Sequence, residues 1–385
     1  MRVSACSAFA AAVVGAAVGS PLSAQEPKLP NPLSWTAYDL GSAGYNQSVA
    51  IGKALKDTLG IDLRVLPGKN DVSRQVPLRE KKVDFSATGV GASFMAQEGV
   101  FEFGAKAWGP QAVRILAAAN SDSNLSVGVA ADAGIKEIKD LKGKRVAWVV
   151  GSPSLNENIS AVLAFAGLTW ADVKKVEFPG FGQSWEGLKN NLVDAAFAQT
   201  SSGQAFAAAS SPRGLYWPPL PHADKEGWKR LTEKGPFFQP NFATEGANVS
   251  KDKPHEGAAY PYPILIAYSD AKDDVVYAMT KAMVELFPKY KDASPGINGW
   301  ALERQNFKWA VPYHPGAIGY FKQIGKWTAE AQAHNDKLIE RQKVLKAAWD
   351  ETVAKGIADD AAFEKAWLET RARKLEAAGF AAVYK

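Results

Sequence analysis

Residues 33–55 read LSWTAYDLGSAGYNQSVAIGKAL, and this stretch decides the fold that we expect. Its first part suits a β-strand, with apolar members at Trp35, Ala37 and Leu40. Small residues then form a turn, and the last part has apolar residues at helical spacing. Such a turn leaves backbone N–H groups unpaired, and together with the positive end of the helix dipole they favour an anion such as a carboxylate. The alternative is a strand-to-helix turn that binds nothing.

The same order of strand, polar turn and helix repeats along the chain. Strand-like segments at 61–66 and 83–88 both end in turns that contain Gly, Asn or Ser. A second group follows, in which a strand runs into a Gly-Ser turn at 151–152 and another ends at 193–198. This order predicts α/β sheets whose turns gather at one edge, where ligands bind in such folds.

The N-terminal segment has the pattern of a secretory signal peptide. Arg2 is followed by small apolar residues that are too few to span a bilayer, and Leu22-Ser23-Ala24 is a plausible cleavage site. We therefore expect residues 1–24 to be removed, and with them Cys6, the single cysteine of the sequence. The expected product is a soluble exported protein without disulfides, periplasmic if the source is a Gram-negative bacterium.

The composition argues against several classes of function. The net charge is +5, and Lys and Arg are mixed with acidic residues, so the sequence contains no basic stripe for nucleic acid. After the leader no run of about 18 apolar residues predicts a membrane-spanning helix. We expect a monomer that uses neither a cofactor nor a metal.

Enzyme motifs are weak or missing in the sequence. Residues 89–94 read GVGASF and end in Phe where a dinucleotide-binding turn needs Gly or Ala. No Gly-x-Ser-x-Gly or phosphate-binding Walker motif occurs, and the four histidines lack partners at metal-ligand spacing. We interpret His314 as a hydrogen-bonded packing residue. An exported enzyme stays an alternative that would need an acid/base pair or a nucleophile in its site.

Several segments resemble one family. Residues 134–146, the Gly-Ser turn after them and Val-Asp-Ala-Ala-Phe at 193–197 resemble the second lobe of type II periplasmic binding proteins. Within that superfamily the Gly-Ser-x-Gly-Tyr segment at 41–45, the Val-Tyr-x-x-Thr-Lys-Ala segment at 276–282 and the His-Pro-Gly-Ala segment at 314–317 resemble the TAXI family. TAXI proteins are the solute receptors of tripartite ATP-independent periplasmic (TRAP) transporters.

The resemblance implies a two-lobe type II periplasmic-binding-protein fold with a hinge and an interlobe ligand cleft. It implies lobe 1 at 31–125, lobe 2 at 126–263 and a return to lobe 1 at 264–326. It also implies a small organic acid or amino acid as solute and a TRAP-type membrane permease as partner. The receptor of an ATP-driven (ABC) importer, which would use the same fold, is the alternative.

We place the ligand site on the turns that would face this cleft. The candidates are Gly41, Ser42, Gly44, Tyr45, Asn70, Asp71, Arg74, Gly89, Val90, Gly151, Ser152, Ser154, Asn156, Thr200 and Ser201. Ser42 and the N–H groups around Gly44 would hold a carboxylate, and Tyr45 would form an apolar wall. Asn156 and Thr200 would recognise a second polar group. Arg74 would add a bidentate clamp, unless it is an exposed helix arginine.

Residues 327–385 form a C-terminal helical tail in this interpretation. Segments 328–355 and 359–378 are rich in Ala, Glu, Lys and Gln, which favour helices. The spacing of Leu338, Leu345, Trp349 and Val353 predicts one buried stripe. We expect both helices to pack on a lobe; contact with a membrane partner or a second subunit is the alternative.

Overall fold

The computed structural model describes Met1 and residues 28–384. The predicted signal peptide therefore lies, apart from Met1, outside the described residues. In the described part the chain forms two α/β lobes with a cleft between them and two long helices after the second crossing, as the predicted fold class requires. None of the described helices has the length and apolar character needed to cross a membrane.

Lobe 1 is built on a five-stranded sheet of order β2-β1-β3-β11-β4, in which β1 runs parallel to β2 and β3 while β11 runs antiparallel to β3 and β4. Its strands are β1 (Leu33–Ala37), β2 (Leu63–Pro67), β3 (Phe85–Thr88), β4 (Val113–Ala118) and β11 (Ile264–Tyr268). Its helices are α1 (Ala43–Leu59), α2 (Asp71–Arg79), α3 (Val90–Glu98), α8 (Asp273–Glu285), α9 (Phe287–Tyr290) and α10 (Pro315–Gln323).

Lobe 2 has a four-stranded sheet of order β5-β8-β6-β7 and a separate antiparallel pair, β9 with β10. Its strands are β5 (Leu125–Val129), β6 (Arg145–Val149), β7 (Lys174–Phe178), β8 (Ala195–Gln199), β9 (Gln239–Ala243) and β10 (His255–Ala259). Its helices are α4 (Pro153–Phe165), α5 (Phe181–Lys189), α6 (Gly203–Ala209) and α7 (Lys225–Lys234).

Helices α1 and α3 begin at residues that the sequence analysis assigned to turns. Helix α1 begins at Ala43, inside the predicted turn, because Ser42 caps it by accepting a hydrogen bond from the Tyr45 N–H (3.2 Å). Residues 89–91 were expected to form only a turn, yet Gly89 is the N-cap of α3. All nine residues of α3 are buried, so no polar face marks it as a helix in the sequence.

Two segments carry the chain between the lobes and pair with each other. The first, residues 119–124, leads from β4 to β5, and the second, residues 260–263, leads from β10 to β11. The Ala119 N–H donates to the Pro263 carbonyl (2.9 Å), and the Tyr262 N–H donates to the Ala119 carbonyl (3.0 Å). A bending motion of the lobes would therefore centre on this two-segment connection.

The tail forms the two predicted helices, α11 (Ala329–Val353) and α12 (Asp360–Ala377). The predicted apolar stripe is confirmed at Leu345, which is buried, and wrong at Val353, which is 51 % exposed, because the buried face of α11 continues through Ala348 and Thr352. The helices pack on lobe 1 through a buried charge cluster at the end of α3. Arg341 holds the Glu98 carboxylate by two hydrogen bonds (2.6 and 2.8 Å), and Arg371 donates to the same carboxylate.

We predict that Glu98→Gln lowers the free energy of unfolding by about 3–5 kcal/mol, because it leaves Arg341 and Arg371 buried without a counter-charge. Glu98 and Arg371 have fully buried side chains, so water cannot replace the lost partner. Denaturant unfolding followed by far-UV circular dichroism measures the change. Glu351, which pairs with Arg373 and Lys374 on the tail surface, is the matched control. Equal losses in Glu98→Gln and Glu351→Gln would contradict the role of the buried cluster.

Candidate functional site

Six helices begin at the cleft, three from each lobe. Helices α1, α2 and α3 follow strands of lobe 1, and α4, α5 and α6 follow strands of lobe 2. The residues that precede their first turns are Ser42, Asn70, Gly89, Ser152, Gly180 and Ser202. The positive ends of six helix dipoles are thus gathered around one space, which favours an anionic group there.

Backbone and side-chain hydrogen bonds hold the lobes together at the rim of the cleft. The Val72 N–H donates to the Gly151 carbonyl (3.2 Å), and the Gly203 N–H donates to the Gly41 carbonyl (3.1 Å). The side chain of Asn70 donates to the Val150 carbonyl (3.1 Å). These bonds join the same turns that the sequence analysis assigned to the cleft, so this is a closed arrangement of the two lobes.

A small, partly open cavity lies between the closed lobes. Only about 30 Å³ is open to the centre of a water-sized sphere, which is room for about two water molecules. Both lobes and the second crossing segment contribute to its wall. The lining residues are Tyr38, Ser42, Ala43, Arg74, Gly89, Leu125, Ser154, Leu155, Phe181, Phe197, Ala198, Gln199, Ser202, Tyr260 and Tyr262.

Arg74 is the charged residue of this wall, and it is 2 % exposed. Its guanidinium pairs with Asp71, lies over the Tyr38 ring at 4.0 Å from the ring centre and makes a long hydrogen bond to the Ala87 carbonyl (3.4 Å). Its Nε–H has no hydrogen-bond partner among the described residues. Arg74 is therefore not an exposed helix arginine, and it has one donor left for a ligand.

Asp71 connects the two lobes. One carboxylate oxygen pairs with Arg74, and the other accepts a hydrogen bond from the Ser154 N–H (2.8 Å) in the first turn of α4. A carboxylate at a helix N-terminus is stabilised by the unpaired N–H groups and by the helix dipole. The first turn of α4 thus binds an anion, and that anion is the side chain of Asp71 itself.

Three tyrosines surround Arg74, and their hydroxyl groups stay protonated. Burial raises the pKa of Tyr38 well above its usual value, and burial likewise raises the pKa of Tyr260 and Tyr262. The Tyr38 hydroxyl shares a 2.8 Å hydrogen bond with Ser152 across the cleft. The Tyr262 hydroxyl lies 3.0 Å from where a Cβ on Gly44 would be, so any other residue there would crowd it. The tyrosines therefore act as neutral hydrogen-bonding walls.

Gln199, the last residue of β8, supplies an acceptor to the wall. Its side chain is 3 % exposed, and its Nε2 donates to Ser121 (2.9 Å) and to the Tyr262 carbonyl (3.4 Å). Its Oε1 has no partner within residues 28–384. Arg74 Nε and Gln199 Oε1 are thus two buried polar atoms of the wall residues that have no hydrogen-bond partner within residues 28–384.

The structure brings many of the predicted site residues together. Ser42, Arg74, Gly89 and Ser154 line the cavity. Others make contacts that cross or adjoin the cleft; these are Gly41, Gly44, Asn70, Asp71, Gly151 and Ser152. Ser42 is engaged in capping α1, and the Tyr262 hydroxyl lies against the same turn, so the expected carboxylate position there is already in contact with protein.

The remaining predicted residues lie outside the cavity wall. Asn156 uses both ends of its amide on the backbone of Val149, at 2.9 Å each. Thr200 donates to the Glu245 carbonyl (2.9 Å), and Ser201 accepts from Ser123 (2.9 Å). Tyr45 and Val90 are not in the wall: Tyr45 packs against the core of lobe 1, and Val90 is fully buried in it. Internal hydrogen bonds and packing thus occupy these five side chains.

Sequence reasoning missed five polar residues of the wall, which are Tyr38, Gln199, Ser202, Tyr260 and Tyr262. Tyr38 and Gln199 stand at the ends of β1 and β8, so their position at the strand ends was an available signal. Tyr260 and Tyr262 lie in the crossing segment 260–263, which has no strand or helix pattern. Residues 28–384 contain no cluster of three His, Asp or Glu side chains that could hold a metal ion.

Comparisons with known proteins give one family match and several structural likenesses. The NMT1-like family profile matches residues 41–325. Three solved structures resemble the chain: the alkanesulfonate-binding protein SsuA from Xanthomonas axonopodis pv. citri bound to MOPS (13 % identity, 86 % of this chain and 96 % of that one, TM-score 0.46), an ancestral arginine-binding protein bound to arginine (16 %, 69 % and 95 %, 0.40), and the substrate-binding protein of an amino acid ABC transporter (11 %, 70 % and 99 %, 0.42). With TM-scores below 0.5, these likenesses do not identify a ligand.

We predict that Tyr38→Phe shifts the free protein from the closed toward an open arrangement. The change leaves the fully buried Ser152 hydroxyl without its partner in the closed form alone, at a cost of about 1–3 kcal/mol. The radius of gyration from small-angle X-ray scattering should increase. Tyr45→Phe, at a half-buried tyrosine outside the wall, should leave it unchanged. Identical scattering curves for Tyr38→Phe and wild type would rule out this role.

Proposed function

Because this chain belongs to the NMT1-like family and closes two lobes on a buried arginine, we propose that it is a solute-binding receptor. It captures a small organic acid or amino acid in the interlobe cleft, and it is not an enzyme. The observation that carries the proposal is the buried Nε–H of Arg74, which has no partner among the described residues, in the wall of the cavity between the lobes. A buried guanidinium donor is a strong and specific partner for a carboxylate or another oxyanion.

The six helix N-termini support the same proposal. They add partial positive charge around the cavity, where the dielectric is low and charge interactions are strong. Arg74 and Asp71 come from lobe 1, whereas Ser154 and Gln199 come from lobe 2, so a ligand held by both sets stabilises the closed form. The two-segment connection at 119–124 and 260–263 is the hinge of this proposal.

We further propose that the receptor acts in the periplasm after removal of residues 1–24 and delivers its solute to a membrane permease. The TAXI resemblance of residues 41–45, 276–282 and 314–317 supports a TRAP-type permease, which works without ATP. Delivery to an ATP-driven importer is the alternative for the partner. The two kinds of permease differ in their energy source, so a transport assay distinguishes between them.

Ligand binding is tested first by thermal shift. The mature protein is unfolded, refolded and screened against amino acids, 2-oxoacids, dicarboxylates and aromatic acids. A bound ligand at a hundred times its dissociation constant adds about 2.7 kcal/mol of stability. Arg74→Lys, which keeps the charge and loses the planar donor set, should abolish the shift. Arg79→Lys on the same helix, outside the cavity wall, should keep it.

No shift with any compound, in a protein that is folded by circular dichroism, would contradict the receptor proposal. A shift that Arg74→Lys leaves intact would place the ligand elsewhere. Chemical turnover of the bound compound would favour the exported enzyme instead. Each result is read from the same purified samples.

The permease type is tested by transport. Proteoliposomes that contain a candidate TRAP-type permease are supplied with the liganded receptor and a sodium or proton gradient, and parallel proteoliposomes contain a candidate ABC permease. Uptake that depends on the gradient and needs no ATP is the expected result. Uptake that requires ATP inside or outside the vesicle would assign the receptor to an ABC importer.

A further inference from the structure

Gln199 limits the kind of solute that the cleft can hold. Its Oε1 is a buried acceptor without a partner among the described residues, and leaving such an atom unpaired is costly. A carboxylate, a carbonyl or an ether oxygen on the ligand cannot satisfy it, because all of these are acceptors too. The ligand must present a hydrogen-bond donor to this side of the cavity.

The direction of the Gln199 amide is set by its neighbours. Its Nε2 faces the Tyr262 carbonyl at 3.4 Å, and a backbone carbonyl is an acceptor only. Turning the amide over would place two acceptor oxygens against each other there, whereas the Ser121 hydroxyl (2.9 Å) can bond to either end of the amide. The acceptor end is therefore the end that stays open.

Arg74 and the helix N-termini define the opposite requirement. The open Nε–H of Arg74 needs an acceptor, and the surrounding helix dipoles favour that acceptor as an anion. The Arg74 charge, however, is already balanced by Asp71. A ligand without net charge would close into the cavity without adding an uncompensated charge, whereas a purely anionic ligand would add one.

We infer that the solute is a small zwitterion, an α-amino acid with a short apolar side chain, rather than a purely anionic acid. Its carboxylate binds Arg74 Nε, and its ammonium donates to Gln199 Oε1. Phe181, Phe197 and Leu125 in the wall contact the side chain. The cavity of the closed form is small, so an amino acid with a short side chain requires the least further separation of the lobes. This inference rests on the proposed receptor function and narrows its substrate class.

Matched acids test the inference by isothermal titration calorimetry on the refolded mature protein. Alanine is compared with pyruvate, lactate and propionate, and valine is compared with 2-oxoisovalerate, 2-hydroxyisovalerate and isovalerate. Each set keeps the carboxylate and the carbon skeleton and changes only the group at the α-carbon. At least one amino acid should bind about tenfold or more tightly than every member of its own set.

Variants assign that preference to Gln199. Gln199→Leu should remove most of the preference, by weakening the amino acid about tenfold while the deaminated acid changes little. Gln183→Leu is the matched control, since Gln183 also has a buried Oε1 without a partner within the described chain but lies outside the cavity wall. Circular dichroism and the melting temperature verify that both variants are folded. The comparison of matched acids on the wild-type protein tests the inference without any variant.

The possible results separate the inference from the proposed function. Equal or tighter binding of an oxo, hydroxy or deaminated acid, still dependent on Arg74, would overturn the zwitterion and leave the receptor standing. Retention of the full amino acid preference in Gln199→Leu would overturn the role of this residue. Failure of every acid and amino acid to bind would count against the receptor function itself, and the inference would fall with it.

Discussion

The closed arrangement depends on the Asp71 carboxylate. It neutralises a buried arginine of its own lobe and caps α4 of the other lobe through the Ser154 N–H. An ion pair this deep is stable only when its remaining hydrogen-bonding atoms are satisfied, and Asp71 meets that condition only when the lobes are together. Opening the cleft exposes the carboxylate and the α4 terminus to water, which can hydrate both. The protein thus carries an internal anion, the Asp71 carboxylate, that holds its lobes closed. Within the Asp71–Arg74 pair, the Nε–H of Arg74 is the group that remains without a partner among the described residues.

One of the two segments that connect the lobes also forms part of the cavity wall. Segment 260–263 is one of the two chain crossings, and its tyrosines line the cavity. The Tyr262 carbonyl accepts a hydrogen bond from the side-chain amide of Gln199, and the Tyr262 hydroxyl lies against the start of α1. A rotation of the lobes therefore moves part of the wall, so recognition and closure share one set of contacts. A molecule bound in this cavity would contact Tyr260 and Tyr262, which lie in a segment that has to move when the lobes rotate.

The regular parts of the fold follow from the sequence more closely than the site does. Strand spacing, polar turns and the tail helices are local patterns, and all of them are present. Helix α3 was missed because burial on every side removes the periodic signal. In the site, the position of residues at strand ends indicated the right turns. It could not distinguish a side chain with a free hydrogen-bonding atom from one whose atoms are all bonded within the protein. Asn156 and Gln199 are both amides at such turns; Asn156 closes on its own backbone, and Gln199 keeps a free acceptor. Only the tertiary neighbours decide between these outcomes.

The order of strands in lobe 1 has a consequence for biosynthesis. Strand β11 fills the place between β3 and β4, yet it is made after the whole of lobe 2. Until Ile264 and its neighbours leave the ribosome, β3 and β4 each present a bare strand edge, and bare edges invite pairing with other chains. Closing such a distant contact is also slow. The first lobe therefore cannot be completed until the second lobe has been synthesised, so its sheet has unpaired strand edges during that period.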